Sequence, residues 1–311
     1  MLSVKNLIDT YSLTADDITQ ILDTAASFES VNNRAIKKVP ALRGRTIVNL
    51  FLEPSTRTKS SFELAEKRLS ADSLSMGGST SSVVKGESLA DTIQTISAMN
   101  VDMFVCRAKL AGTPQRITEN TDAVVINAGD GKHQHPTQAM LDLYTIRKNF
   151  GHLDGLRVAI VGDLAHSRVC GSLAPALKTM GAEVTLVGPP TFQVDDPDWF
   201  GCPQTASLDD VIEDMDVVYM LRVQLERMEG AAIPSRREYN RLYGLDMTRV
   251  NRMKPDAIIC HPGPMNRGME INADVADCAR SRILNQVNAG VLTRMAEMYL
   301  LLGGENNGLS A

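Results

Sequence analysis

The sequence predicts an α/β protein of two domains, each a mainly parallel sheet flanked by helices. Short apolar runs alternate with stretches of helical periodicity, the pattern of βαβ units. That alternation breaks at Phe150-Gly151-His152-Leu153-Asp154-Gly155, which separates residues 1–149 from residues 150–283. Charged and hydrogen-bonding residues recur just after the strand-like runs, where open α/β sheets bind their ligands.

In chain order, Thr46–Leu52 reads as a buried strand and about Ser60–Leu69 as an amphipathic helix, carried by its periodic stretch Phe62–Leu69. Ser-rich sequence between about Asp72 and Gly86 reads as a flexible loop. A helix follows over Ser88–Met99, then strands Val101–Cys106 and Ala123–Asn127 and a helix starting near Pro136. Gly129-Asp130-Gly131-Lys132 reads as a turn, because it lacks the earlier Gly and the following Ser or Thr of a phosphate loop. The second series comprises strand Arg157–Val161, helix Ser172–Met180, and strands Glu183–Val187, Asp216–Met220 and Ala257–Cys260. A last helix, about Ile283–Leu302, carries Val287, Val291, Met295 and Met298 at helical spacing, and the tail after it is expected to fray.

The 311 residues suffice for two domains that each bury a core, and 43% hydrophobic with 22% charged residues is an ordinary globular balance. A formal charge of −5 disfavours a nucleic-acid partner, whose phosphates call for a basic surface. No apolar run approaches the ~20 residues of a membrane span. The opening Met1-Leu2-Ser3-Val4-Lys5 lacks the core of a signal peptide, so a cytoplasmic location without membrane association is expected. Five cysteines without a C-x-x-C pair imply buried free thiols.

The densest chemistry lies at Ser55-Thr56-Arg57-Thr58, between the first strand and its helix. A helix N-terminus offers unpaired N–H groups and partial positive charge, so hydroxyls and a guanidinium there make a phosphate socket. Helix capping is the plainer reading of the same hydroxyls. Further candidates follow other strands: Arg107, His135-Pro136-Thr137-Gln138, Arg168, Arg222 with Gln224, and His261-Pro262-Gly263-Pro264. His135 before Pro136 also suits a plain helix start. His133 and His135 lack the further ligands that a metal site needs. Arg236 and Arg237 read as solvated surface groups.

The Ser55–Thr58 box, Lys85-Gly86-Glu87-Ser88, His135-Pro136-Thr137-Gln138 and His261-Pro262-Gly263-Pro264, in that order, resemble the aspartate/ornithine carbamoyltransferase family, and its aspartate branch most closely. The resemblance runs from about Leu13 to about Leu302. It implies transfer of the carbamoyl group of carbamoyl phosphate to the amine of L-aspartate, an early step of pyrimidine biosynthesis, with no cofactor and no metal. It also implies that residues 1–149 bind carbamoyl phosphate, that residues 150–283 bind aspartate, with the active site in the crevice between them, and that the last helix, about 284–302, packs back on the first domain.

Residue by residue, the resemblance gives Ser55, Thr56, Arg57 and Thr58 the phosphate, and Thr58, Arg107 and His135 the carbonyl oxygen as it gains charge. Gln138 and the carbonyls around Gly263 and Pro264 would accept from the carbamoyl N–H₂. Arg168 would take the α-carboxylate of aspartate, and Arg222 with Gln224 its side-chain carboxylate; the planar fork of Arg suits such pairing. Ser81 and Lys85 would reach from a neighbouring subunit to the phosphate and aspartate, making the active unit a homotrimer with shared sites. The resemblance leaves a regulatory chain or a dihydroorotase open as partner.

Ornithine carbamoyltransferase is the nearest alternative, but that branch usually has Cys where this chain has Thr137 and Pro262, and lacks the Lys85 loop. A nucleotide-dependent oxidoreductase fails on Leu164, which occupies the second glycine position of the dinucleotide fingerprint. A catalytically silent scaffold subunit is disfavoured by the suitable residues at every principal site position.

Overall fold

A computed structural model of the chain describes residues 2–32, 34–77, 87–196, 201–224 and 235–303. It forms two compact units, Met1–Tyr144 with Asn288–Ala311, and Thr145–Val287. The helices in chain order are α1 (Ala15–Ser27), α2 (Glu29–Asn32), α3 (Thr56–Leu69), α4 (Leu89–Ser97), α5 (Thr113–Thr118), α6 (Pro136–Phe150), α7 (Arg168–Thr179), α8 (Arg236–Tyr243), α9 (Met247–Val250), α10 (Ala273–Ala276) and α11 (Ile283–Leu301). The strands are β1 (Thr46–Phe51), β2 (Asp72–Gly77), β3 (Met103–Ala108), β4 (Val124–Asp130), β5 (Arg157–Val161), β6 (Glu183–Val187), β7 (Gln204–Thr205), β8 (Val217–Met220) and β9 (Ile258–Cys260).

In the first unit the strands run parallel in the order β2-β1-β3-β4. Alternate residues of a strand face opposite sides. Val48 and Leu50 of β1, with Phe104 and Cys106 of β3, accordingly share a core with Ile93 and Ile96 of α4 and Ile117 of α5. Asn49 points the other way, and its amide donates to both oxygens of the buried Glu66 on α3, at 2.8 and 2.9 Å. This holds α3 against β1. Burial pushes the Glu66 carboxyl up, and the bond from Asn49 opposes that shift. The start of α1 is closed by a reciprocal pair: the Thr14 hydroxyl accepts from Asp17 N–H at 3.1 Å, and the Asp17 carboxylate accepts from Thr14 N–H at 2.9 Å.

In the second unit the strands run parallel in the order β7-β6-β5-β8-β9. Ala159, Val161, Val218 and Met220 pack with Ile259, Val250 and Val275 in one core. Strands buried on both faces read as near-continuous apolar runs, which is why β5 and β8 stand out in the sequence.

Several expectations are corrected. Asp72–Gly77 is not loop but strand β2, paired with β1 from Thr46↔Asp72 to Phe51↔Gly77. Its serines hid it, because an edge strand with little burial needs no apolar alternation. Helix α3 starts at Thr56 and α7 at Arg168, each four residues earlier than expected. Strand β4 runs on to Asp130, so Gly129 and Asp130 belong to strand and not to a turn. Cys106, Cys170, Cys202 and Cys260 are buried free thiols, but Cys278 is only half-buried. Arg236 and Arg237 are exposed. Among the described residues no helix is long and apolar enough to cross a membrane.

Candidate active site

Each sheet has one point at which successive connections turn to opposite sides, between β1 and β3 in the first unit and between β5 and β8 in the second. Ligands of open α/β sheets bind beyond the carboxyl ends of the strands at such points. The first holds Ser55–Thr58, after β1, and Arg107, near the end of β3. The second holds Arg168, after β5, and Arg222, after β8.

At the first point Ser55 occupies the cap position of α3 with extended backbone, but its hydroxyl makes no capping bond. Plain capping is therefore not its role. Thr56 and Arg57 are exposed, while Thr58 is buried. Arg107 Nε donates to Glu53 Oε1 at 2.8 Å, and its Nη1 lies 3.2 Å from the Ala128 carbonyl and 3.4 Å from Thr58 Oγ1. Arg107 is thus braced by β4 and by the segment before α3, with its guanidinium beside the Thr58 hydroxyl. An exposed guanidinium, a hydroxyl and the open N-terminus of a fourteen-residue helix together suit a phosphate.

His135 immediately precedes α6 and is buried. The Thr137 hydroxyl lies 3.4 Å from His135 Nδ1. In the tautomer where Thr137 donates, the ring proton sits on Nε2. The loop before His135 is organised by buried Asp130. Asp130 Oδ1 accepts from Asn127 Nδ2 at 2.8 Å and Gln134 N–H at 3.1 Å, and Oδ2 accepts from Gly112 N–H at 2.7 Å. His133 Nδ1 lies 3.1 Å from the same Oδ2, so His133 serves this loop. Gly131 (φ +50) is required here, since a Cβ would meet Ala111 N at 2.9 Å and Lys109 O at 3.0 Å. Gln138 Nε2 donates to buried Asp142 Oδ1 at 3.0 Å, which orients the amide and leaves its oxygen as the acceptor.

At the second point Arg168 is the first residue of α7 and is buried, and the Ser167 hydroxyl caps the helix by accepting from Cys170 N–H at 3.2 Å. The turn leaving β5 is set by Asp163, which accepts from His166 N–H at 3.2 Å. Gly162 (φ +135) lets this exit pass the β8 exit, because a Cβ would lie 3.1 Å from Leu221 Cβ. Arg222 and Gln224 are half-buried on either side of buried Val223. Gln224 Oε1 is enclosed without a hydrogen-bond partner among the described residues.

The His261–Pro264 turn follows β9. His261 Nδ1 accepts from Gly263 N–H at 2.8 Å, and Nε2 faces Glu270 Oε1 at 3.3 Å, which fixes the ring proton on Nε2. Gly263 is left-handed (φ +62) and the Gly263–Pro264 bond is cis. Ser81 and Lys85 lie outside the described residues. Among the described residues no group of three or more His, Cys, Asp and Glu side chains is placed to hold a metal ion.

Glu53, Asp130, Asp142 and Glu270, which brace Arg107, the loop before His135, Gln138 and His261, carry no signal in the cation and hydroxyl motifs. Glu53 was visible as the residue before Pro54, and Asp142 as the residue one helical turn after Gln138.

The family model for the carbamoyl-P binding domain of aspartate/ornithine carbamoyltransferase matches residues 5–148, and that for the Asp/Orn binding domain matches residues 154–301. The aspartate carbamoyltransferase catalytic subunit of Thermobifida fusca is 54% identical over 301 residues, 97% of this chain and 96% of that one. The catalytic subunit of M. jannaschii aspartate transcarbamoylase has a TM-score of 0.85 at 36% identity, covering 98% of this chain and all (100%) of its own. Aspartate transcarbamoylase from Trypanosoma cruzi, solved with N-(phosphonacetyl)-L-aspartic acid, has a TM-score of 0.87 at 29% identity over 96% of each chain. With both halves matched in sequence and the strand order placing the same motifs at the sheets' switch points, this chain belongs to the aspartate/ornithine carbamoyltransferase family.

Proposed function

We propose that this chain is the catalytic chain of an aspartate carbamoyltransferase, which joins carbamoyl phosphate to L-aspartate to give N-carbamoyl-L-aspartate and phosphate in pyrimidine biosynthesis. The observation that carries the choice of amine substrate is the placement of two arginines, Arg168 and Arg222, at one switch point. Two guanidinium groups match the two carboxylates of aspartate. Ornithine has a single carboxylate and a second amine, so one of the two arginines would meet an ammonium.

The half-sites divide the chemistry. Ser55, Thr56, Arg57 and Thr58 hold the phosphate. Thr58, Arg107 and His135 donate to the carbonyl oxygen as it gains negative charge, and one such donor is worth roughly 10²–10³ in rate. Gln138, through the oxygen left free by its bond to Asp142, and the carbonyls of Gly263 and Pro264 accept from the carbamoyl N–H₂. Arg168, Arg222 and Gln224 hold aspartate with its uncharged amine toward the carbonyl carbon. The C–N bond forms, the C–O bond to phosphate breaks, and the proton lost by the amine passes to the departing phosphate, whose remaining charge is taken up by Arg57 and the α3 N-terminus.

The resemblance around Lys85-Gly86-Glu87-Ser88 supports a homotrimer in which Ser81 and Lys85 complete a neighbour's site. A biosynthetic step of this kind fits a cytoplasmic location. The deciding measurement is a carbamoylation assay that offers L-aspartate and L-ornithine separately. Phosphate release is expected with aspartate only, and release with ornithine only would overturn the reading.

A further inference from the structure

The segment that carries Arg222 and Gln224 is not held by its own strand, since β8 ends at Met220. It is held by the segment that follows β9. Asn266 Nδ2 donates to the Val223 carbonyl at 3.0 Å and also reaches Glu270 Oε2 at 3.2 Å. The Asn266 N–H donates to Glu270 Oε1, the oxygen that also faces His261 Nε2. His261 is fixed in turn by Gly263 N–H on Nδ1 and by its own N–H, which donates to Gln286 Oε1 at 3.0 Å. His261, Glu270 and Gln286 are all buried. The Val223 side chain packs with Phe192, Tyr239 and Met269, and Met269 lies in the same turn as Asn266.

We propose that Asn266 is a positioning residue that sets specificity for the amine substrate, by pinning the backbone between Arg222 and Gln224 to the buried His261–Glu270 pair. The proposal rests on the reading that Arg222 and Gln224 hold the aspartate side chain. Val223 is fixed at both ends, its side chain in an apolar cluster and its carbonyl on Asn266. The reach of the two flanking side chains is thereby set. A clamp of fixed reach favours a four-carbon dicarboxylate over its five-carbon homologue, whereas a clamp on a loose backbone accommodates both. Glu270 provides rigidity: it accepts both Asn266 donors and faces the His261 ring proton, so the Asn266 amide cannot rotate without leaving a buried carboxylate short of a donor. The same bracket ties the Arg222–Gln224 segment to the Gly263–Pro264 turn, so the elements that hold the two substrates are positioned together.

The test compares wild type with Asn266→Ala, which keeps the backbone donation to Glu270 and removes the bond to Val223, and with Asn266→Ser as a milder change. Steady-state constants are measured for L-aspartate, L-glutamate and carbamoyl phosphate, together with competitive inhibition by succinate, a dicarboxylate without the amine. Asn266→Ala is expected to raise KM for aspartate and Ki for succinate by about five- to tenfold, the effect of one lost hydrogen bond to a positioned group. kcat should change less than KM, KM for carbamoyl phosphate should stay within about twofold, and the preference for aspartate over glutamate should fall. Asn266→Ser should lie between wild type and Asn266→Ala, and it decides the matter if the alanine variant does not fold. Unchanged aspartate KM, succinate Ki and aspartate preference in a folded variant would overturn the proposal. A wild-type enzyme inactive with aspartate would instead overturn the reading of the site.

Discussion

Arg107 and Glu53 form an ion pair at 2.8 Å with only 12% and 13% of their side chains exposed. Such a pair at the carboxyl end of a sheet fixes a guanidinium that would otherwise have several rotamers. Its partner Glu53 stands two residues before Ser55, so the brace and the phosphate motif share one short segment. Glu53→Ala is expected to lower kcat by about tenfold, less than loss of the donor itself, because Arg107 remains but is no longer aimed. Full activity of a folded Glu53→Ala variant, measured with both substrates saturating, would show that the pair has no part in the reaction.

On the proposed reading the two switch points serve different substrates, which kinetics can separate. Arg222→Ala should raise KM for aspartate by about 10²-fold, while leaving a carboxylate without its charged partner. Arg57→Ala should damage carbamoyl phosphate binding as well as kcat. Varying each substrate in turn measures this. An Arg222 variant with wild-type aspartate dependence would remove that residue from the site.

Sharing of sites between subunits can be tested by mixing inactive chains. Equal amounts of Lys85→Ala and Arg57→Ala chains, reassembled into cyclic trimers, give about three-quarters mixed trimers, each with one intact site of three. About one quarter of wild-type activity should return, since neither variant alone can build an intact site. Activity no higher than that of the separate variants, in trimers verified as mixed, would place Lys85 in its own chain's site or in none.

Helix α11 carries a buried carboxylate that should make stability depend on pH. Glu297 is buried and neither carboxylate oxygen has a hydrogen-bond partner among the described residues, so burial pushes its carboxyl up to about 8 despite the neighbouring Arg294. Arg294 is turned to Ser61 Oγ at 2.6 Å and sits 5.0 Å over the Phe62 ring of α3. A carboxyl raised in the folded state is protonated there while the unfolded chain has already ionised. Its contribution is therefore fully present below the ordinary value of 4.5 and is lost as pH rises toward about 8. Glu297→Gln should flatten stability between those limits and be more stable than wild type at pH 8 and above. Urea unfolding at a series of pH values measures this, and parallel curves for the two proteins would refute it.

By itself the sequence determined the elements with continuous apolar runs and the motifs beside them. Strands β1, β3, β4, β5, β6, β8 and β9 were legible because strands within a parallel sheet are largely buried and read as mostly apolar runs. The Ser55–Thr58 box and His135–Gln138 were legible because their chemistry is contiguous. Strand β2 was not, since its residues are largely uncovered and only pairing with β1 makes them a strand. Helix α8 was missed because its buried face comes down to Tyr239. Tertiary structure alone decided the strand orders that bring residue 57 to residue 107 and residue 168 to residue 222, because sheet order is set by long-range pairing and leaves no local periodicity. It also decided which carboxylates brace the site residues and their loops. Glu53, Asp130, Asp142 and Glu270 resemble any other acidic residue in sequence, and only burial beside a specific donor gives each its role.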